Sequence, residues 1–314
     1  MADLTTARNG ALLDADGAVT SVVQEDLHAG DYRLEIPTTT EPVKSAPLGR
    51  QYPAHFIAPL WTTTAGEDAV DLAEACGLHL LPWQQLVLRN ALGERPGGKW
   101  SSFEVGLIVP RQNGKNVVVM ARQLAGLFLF GEEQQVHTAH KFKTAKAAHR
   151  DLVKLIENQP DLNEMVASKA TSSENTSIVL ANGNRLDFLA RKSGGGRGLS
   201  GDTVYLDEAF ALDQETLSDL LPTLSARPSP QVWYTSSAGM EASDTLQNIR
   251  ERCTKHAEDQ AFFTYLEWTA DLDRFPRESV EAAAWANPSM GWFQDWEWIH
   301  NVALKPMGAA EYAR

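Results

Sequence analysis

The most constraining feature of the sequence is the segment FEVGLIVPRQNGKNVVVMARQ, residues 103–123, in which an apolar run passes through a Gly-Lys turn into a second apolar run. The first run is typical of a buried strand, and residues Val117 to Phe130 are typical of a helix. A turn of this kind points backbone N–H groups at an anion, and the dipole of the helix adds positive charge. The segment therefore predicts a phosphate-binding loop between a strand and a helix.

The loop departs from the pattern G-x-x-x-x-G-K-[ST] at two positions, since Val109 replaces the first glycine and Asn116 replaces the hydroxyl residue. The side-chain carbonyl of Asn116 offers an oxygen to Mg²⁺. Arg111 is an additional cation that could clamp a γ-phosphate. The candidate nucleotide-binding residues of the loop are Pro110, Arg111, Gln112, Asn113, Gly114, Lys115 and Asn116. Taken alone, the unit leaves open an ordinary turn with a surface lysine.

A second signal is the pair of acids that ends the apolar run TVYLDEA, residues 203–209. Ligands of open α/β sheets lie at the carboxyl ends of the strands. Asp207 is suited to holding Mg²⁺, and Glu208 to orienting and deprotonating an attacking water. A strand end capped by solvated acids is the alternative, but the acids together with the upstream Gly-Lys turn favour nucleotide hydrolysis.

Between these two segments lies the glycine-rich stretch SGGGRG, which contains Arg197. One interpretation is a flexible loop with a solvated arginine. The other is an arginine finger that reaches the γ-phosphate of a neighbouring subunit and stabilises charge in the transition state. A further strand, PQVWYTSSAG, ends in the small hydroxyl residues Thr235, Ser236 and Ser237.

Apolar strands alternate with amphipathic helices along most of the chain, which predicts an α/β fold with a mostly parallel central sheet flanked by helices. Three regions are expected: an extended or mobile N-terminal arm at residues 1–50, a core at residues 51–265, and a small C-terminal lid or linker region at residues 266–314. The third region is rich in tryptophan.

The net charge of −13 argues against a surface that is basic throughout, because non-specific DNA affinity comes from neutralised phosphates. A local patch remains compatible with it: Lys143, Lys146 and Arg150 are spaced to share one face of a helix. A solvated face paired with acids is the alternative. Cys76 and Cys253 show no metal-ligand spacing and are interpreted as reduced thiols. No apolar run reaches the length of a membrane span.

The order of these segments resembles the large terminase subunit of tailed bacteriophages, in its N-terminal ATPase domain, over roughly residues 50–310. That family carries an arginine three residues before the loop glycine, an Asp-Glu strand end, an arginine in the preceding glycine-rich stretch, a Thr/Ser coupling motif and an upstream glutamine for adenine. The matching residues here are Arg111, Gly114 and Lys115; Asp207 and Glu208; Arg197; Thr235, Ser236 and Ser237; and Gln84, with Gln85 as the second choice.

The resemblance implies a P-loop NTPase fold of the ASCE type that hydrolyses ATP with Mg²⁺. It implies a motor that moves double-stranded viral DNA through the portal protein into a procapsid, together with the small terminase subunit. The motor is expected to be a homo-oligomeric ring of five subunits in the host cytoplasm, without membrane contact. The nuclease domain that follows in the family is not expected within these residues, so Glu267, Asp271 and Asp273 are interpreted as a strand end and linker.

Two alternatives differ in class. A helicase-like or DNA-remodelling ATPase would share the glutamine and the acids, but it needs a second nucleotide-binding lobe, for which too few residues follow Tyr234. A P-loop scaffold without turnover would not need the intact set of Lys115, Asp207 and Glu208.

Overall fold

The computed structural model describes residues 48–172, 176–191, 199–237 and 243–304, together with two upstream strands, Thr5–Thr6 (β1) and Leu12–Leu13 (β2), that pair with each other antiparallel. The predicted N-terminal arm therefore lies almost entirely outside the described residues.

The remaining strands are His55–Ile57 (β3), Thr63–Thr64 (β4), Gly93–Arg95 (β5), Lys99–Trp100 (β6), Glu104–Ile108 (β7), Gln134–Ala139 (β8), Val166–Thr171 (β9), Thr176–Leu180 (β10), Arg185–Ala190 (β11), Thr203–Asp207 (β12), Gln231–Ser236 (β13) and Phe263–Glu267 (β14). The helices are Gly66–Ala75 (α1), Pro82–Ala91 (α2), Lys115–Phe128 (α3), Phe142–Glu157 (α4), Pro160–Glu164 (α5), Gln214–Thr223 (α6), Asp244–Lys255 (α7), Val280–Ala286 (α8) and Trp296–Trp298 (α9).

A nine-stranded sheet forms the centre of the molecule, in the order β3-β14-β7-β13-β12-β8-β11-β10-β9. The strands from β14 to β11 in that order run parallel, while β3, β10 and β9 add antiparallel edges. The predicted α/β class with a mostly parallel sheet is confirmed. Strand β13 lies between the strand before the Gly-Lys loop and the strand that ends in acids, which is the arrangement of the ASCE type.

Helices cover both faces of this sheet, which explains why its central strands are apolar on both sides. In β12, Tyr205 packs toward α1, α2 and α3, while Val204 and Leu206 pack toward α6 and α7. Helix α4 covers the β10–β11 end through Leu152 and Ile156. The parallel strands consequently share one buried edge at their carboxyl ends, and the loops that leave this edge carry the candidate site.

Helix α3 begins at Lys115, two residues earlier than predicted, because Gly114 already takes a left-handed conformation with φ of 85° as its N-cap. Strands β10 and β11 form a hairpin with its turn at Asn182 and Gly183, and β9 pairs with β10 as a third strand. Strand β9 was not predicted, since half of its residues are polar and none of them is buried. The small sheet β4-β5-β6 was also not predicted, because its strands have two or three residues each.

The end of the described chain returns to the start of the core. The N–H of Gly49 donates to the carbonyl of Met290 at 2.8 Å, and Gln51 Nε2 donates to the carbonyl of Pro288 at 2.6 Å. Residues 287–294 thereby reach the Gly-Lys loop. Strand β14 also continues to Glu267, past the predicted boundary at residue 265. Among the described residues, no helix is both long and apolar enough to span a membrane.

Candidate nucleotide site

The Gly-Lys loop leaves β7 at the carboxyl edge of the sheet, beside the ends of β13 and β12. The N–H of Val109 donates to the carbonyl of Ser236 at 3.1 Å, which fixes the start of the loop to β13. The side chain of Val109 is fully buried in the core between the sheet and helices α1 to α3. Valine at the position of the usual first glycine therefore belongs to the packing of the sheet, and the loop turns only after it.

The turn itself uses two left-handed residues, Gln112 with φ of 64° and Gly114 with φ of 85°. A side chain on Gly114 would also collide with its surroundings, because an added Cβ would lie 2.9 Å from Gln84 Nε2. Glycine is therefore required at residue 114 by both conformation and space. The side chain of Gln112 is exposed and does not pack in the core, so its strained backbone conformation must be stabilised by other contacts of the loop.

Lys115 opens helix α3, and its Nζ donates to the carbonyl of Val109 at 3.1 Å. Burial lowers the pKa of Lys115 to about 8; nearby Asp207 opposes this shift, and nearby Arg111 adds to it. Arg111 itself is exposed at the loop. Two cations thus meet at a helix N-terminus, where an anion would stabilise both.

The predicted acids end β12 next to this loop. Asp207 is buried, and its Oδ1 accepts hydrogen bonds from Thr235 Oγ1 at 2.7 Å and from the N–H of Glu208 at 2.9 Å. Glu208 follows with a left-handed backbone, φ 53° and ψ 49°. Its Oε1 accepts a long hydrogen bond from Thr144 Oγ1 at 3.4 Å, and its Oε2 is buried without a partner among the described residues.

These carboxylates fit the divalent cation that the resemblance implies. Oδ2 of Asp207 makes no hydrogen bond to a described residue, and the buried Oε2 of Glu208 is a polar atom that needs a partner. Carboxylate oxygens are the hard ligands that Mg²⁺ prefers. Asn116 is exposed in the first turn of α3, where its side chain is accessible from solvent.

The hydroxyl residues at the end of β13 contact the acidic strand in different ways. Thr235 is buried, and its Oγ1 donates to Asp207 Oδ1, as described above. Ser236 Oγ accepts from the N–H of Phe210 at 3.1 Å, just after the acids. Ser237 is the last described residue before a gap. The strand end is thus coupled to the acids through Thr235 and Ser236.

The upstream glutamines, Gln84 and Gln85, are both buried. Gln84 is 1% exposed; its Oε1 accepts from the N–H of Leu81 at 2.8 Å, and its Nε2 donates to the carbonyl of Gly114 at 3.1 Å. Gln85 is also buried, and its Nε2 donates to the carbonyl of Leu80 at 3.0 Å. Of the two, only Gln84 contacts the loop.

Sequence reasoning missed Arg191, which follows the last residue of β11. Its guanidinium donates to the carbonyl of Glu208 at 2.9 Å and to the carbonyl of Thr138 at 3.1 Å, and it also binds the carbonyl of Asp207. The position of Arg191 at the carboxyl end of a parallel strand was the available signal. Arg197, the predicted finger, lies outside the described residues, in the segment that begins immediately after Arg191.

The basic residues predicted on one helix face lie on α4, and Lys143, Lys146 and Arg150 are all exposed. Arg150 is paired with its neighbour Asp151 at 3.0 Å. The acids that could be mistaken for nuclease ligands are not clustered into a site: Glu267 is buried in an ion pair with Arg250 at 2.8 Å.

The strand order and the Gly-Lys loop after β7 correspond to the P-loop NTPase fold of the ASCE type. No protein-family model and no curated protein matches the chain. Among solved structures, the large terminase of bacteriophage HK97 superimposes on 80% of this chain and 54% of its own, with a TM-score of 0.65 and 19% identity. The chain thus spans about half the length of that terminase, and the resemblance drawn from the motifs is confirmed at the level of the fold.

Two other solved structures are similar at lower scores. The large terminase of a thermophilic bacteriophage, in complex with ATP-gamma-S, matches 62% of this chain and 48% of its own at 13% identity and a TM-score of 0.44. The Phi-28 gp11 DNA packaging motor matches 59% of this chain and 64% of its own at 12% identity and a TM-score of 0.33.

Proposed function

We propose that this chain is the ATP-hydrolysing motor domain of a viral DNA-packaging terminase, which couples hydrolysis to the translocation of double-stranded DNA into a procapsid. The observation that carries the proposal is the meeting of Lys115, Asp207 and Glu208 at one edge of the sheet. The fold shared with the HK97 large terminase supports the choice of motor among P-loop ATPases.

In this proposal the loop amides and Lys115 bind the polyphosphate of ATP, and Arg111 adds charge at the γ-phosphate. Pro110, Gln112 and Asn113 shape the loop. Glu208 orients and deprotonates the attacking water, since its Oε2 has no partner among the described residues.

Asp207 and Asn116 are the residues proposed to hold Mg²⁺. When bound, the ion would neutralise charge that develops on the phosphate oxygens. Thr235 binds one carboxylate oxygen of Asp207, and the other, Oδ2, has no hydrogen bond to a described residue.

Arg197 is proposed to complete the site of a neighbouring subunit, and Thr235, Ser236 and Ser237 to transmit loss of the γ-phosphate from the site to β13. Both proposals need a ring, for which five subunits are expected. The portal protein and the small terminase subunit are the other proposed partners, in the host cytoplasm. Lys143, Lys146 and Arg150 are the proposed contacts to the DNA backbone.

The test is steady-state phosphate release and packaging of DNase-protected DNA into procapsids. Lys115→Ala should abolish both, because the point charge on the outer phosphates is removed. Glu208→Gln should retain ATP binding and lose hydrolysis, while Glu215→Gln, an exposed acid on α6, should behave like the unaltered chain. Turnover by Lys115→Ala at the unaltered rate would contradict the assignment of the site.

A further inference from the structure

Side chains of other elements hold the Gly-Lys loop by donating hydrogen bonds to its backbone carbonyl groups. Four consecutive carbonyls, those of Arg111, Gln112, Asn113 and Gly114, each accept a hydrogen bond from a side chain that belongs to another element. The three side chains that donate come from α2 and from the segment 287–294.

Gln294 holds the first two carbonyls. Its Nε2 donates to the carbonyl of Gln112 at 2.9 Å and to that of Arg111 at 3.3 Å. These bonds span the left-handed residue Gln112, whose conformation costs free energy for a side chain of this kind. Gln294 therefore stabilises the strained part of the turn.

Ser289 holds the third carbonyl. Its Oγ donates to the carbonyl of Asn113 at 2.8 Å and accepts from Trp83 Nε1 at 3.1 Å. Both Ser289 and Asn113 are completely buried. The side chain of Asn113 strengthens this contact, since its Oδ1 accepts from the N–H of Ser289 at 3.1 Å and its Nδ2 donates to Asn287 Oδ1 at 2.9 Å.

Gln84 holds the fourth carbonyl, that of Gly114, at 3.1 Å. Its other amide atom is fixed by the N–H of Leu81, so the side chain cannot rotate without breaking both bonds. Because Gln84 is 1% exposed, its amide offers almost no surface to a base in this conformation.

The direction of these carbonyls fixes the direction of the loop N–H groups. The described peptide bonds are all trans, and in a trans peptide the C=O and the N–H point in opposite directions. Because the four carbonyls point toward Gln294, Ser289 and Gln84, the N–H groups that follow them point away from these side chains. These are the N–H groups of Gln112, Asn113, Gly114 and Lys115. None of these four N–H groups donates to any residue that the structure describes.

We propose that Gln84, Ser289 and Gln294 are positioning residues that hold the loop in its anion-binding conformation before a nucleotide arrives. Gln84 then acts on the polyphosphate through the loop, and it does not read the adenine base. The inference rests on the proposed function, because it assumes that the loop binds the polyphosphate of ATP. It assigns the segment 287–294 to the nucleotide site itself.

The test compares three ligands by calorimetric titration of the full chain with Mg²⁺: ATP, GTP and inorganic tripolyphosphate, which has no base. Gln84→Met and Gln294→Met keep the side-chain size and remove the donor. Each should weaken the binding of all three ligands by the same factor, about five- to thirty-fold, as expected when one or two hydrogen bonds are removed. Gln135→Met is the matched control, because Gln135 is equally buried and its hydrogen bonds run to Gln123 and Tyr205, away from the loop.

The outcomes separate the possibilities. If Gln84→Met weakens ATP alone and leaves tripolyphosphate binding unchanged, the side chain reads the base and the inference is wrong. If both variants melt at the unaltered temperature and bind every ligand as before, the loop does not need its outer hydrogen bonds, and the inference is again overturned. If the unaltered chain binds neither ATP nor tripolyphosphate, the result contradicts the proposed function itself, and the inference that rests on it falls with it.

Discussion

Glu208 adopts a left-handed backbone conformation that few residues other than glycine, asparagine and aspartate adopt. Two contacts hold it there: its N–H donates to Asp207 Oδ1, and its carbonyl accepts from Arg191. Strain of this kind persists only where the surroundings enforce it. The direction of the Glu208 carboxylate is thus set by the backbone on both sides of it.

Replacing Arg191 should therefore change the rate of hydrolysis more than the binding of ATP. In Arg191→Ala, we expect kcat to fall by about ten- to a hundred-fold, as for a base displaced by about 1 Å, with KM nearly unchanged. Burial lowers the pKa of Arg191 to about 10, so the guanidinium stays charged at neutral pH. Arg191→Lys should recover part of kcat, since one ammonium can satisfy fewer carbonyls. A rise in KM at constant kcat would contradict the positioning role.

The residues that could be predicted are those with local signals. Lys115 follows an apolar strand within a few positions, and Asp207 and Glu208 end another. The sequence therefore predicts both the chemistry of these residues and their place at the edge of the sheet. Ser289 and Gln294 carry no such signal, because each contacts the loop across more than 170 residues of sequence. Gln84 was singled out for a contact with adenine, which stays a prediction; its burial and its bond to Gly114 had no signal in the sequence.

At the scale of elements, helix α4 connects a basic surface to the candidate site. Its exposed face carries Lys143, Lys146 and Arg150, and its first turn carries Thr144, which donates to Glu208. The ion pair of Arg150 with Asp151 is exposed to solvent and therefore contributes little free energy, so Arg150 can exchange it for a contact with a phosphate. A duplex bound at Lys143 would therefore lie next to Thr144, whose hydroxyl donates to Glu208, the proposed general base.

Neutralising this face should weaken DNA binding without changing basal ATP hydrolysis. For the variant with Lys143→Gln, Lys146→Gln and Arg150→Gln, we expect the slope of log K against log salt to become shallower by about 0.9 for each phosphate that the protein no longer neutralises. Titrations of a fluorescent duplex at several salt concentrations measure that slope.

The control is a variant with the same change in net charge elsewhere, in which the exposed residues Lys99, Lys255 and Arg277 are replaced by glutamine. Its slope should stay at the unaltered value. Equal slopes for both variants would assign the DNA contact to another surface or to general charge.

Helices and strands could be predicted wherever the pattern of apolar residues extended over enough positions to show its period. The central strands β7, β12, β13 and β14 carry runs of apolar residues, and the long helices between the strands have ten or more residues, so alternation alone indicates the sheet. Strand β9 was missed because an edge strand buries little of its surface. The order of strands in the sheet could not be read from the sequence, since it depends on contacts between distant elements.

At the scale of the whole molecule, the proposed motor needs more than one subunit, because Arg197 is expected to act on a neighbour. Arg197→Ala and Glu208→Gln should each be inactive alone. A mixture should recover part of the activity, since at one kind of interface an intact Arg197 meets an intact Glu208. Phosphate release measured across mixing ratios and rising protein concentration tests this, with ring assembly checked by light scattering. Intact rings that show no recovery would place the arginine in its own subunit.

The return of residues 287–294 to the loop has a consequence for the order in which the protein is made. Domains begin to fold as the chain leaves the ribosome, at about 5–20 residues per second. The loop and its strand emerge early, but Ser289 and Gln294, which hold its carbonyls, are among the last described residues to be synthesised. A nascent chain that ends before these two residues carries the proposed catalytic acids and lysine without the side chains that hold the loop, so we expect it to bind ATP less tightly than a chain that includes them.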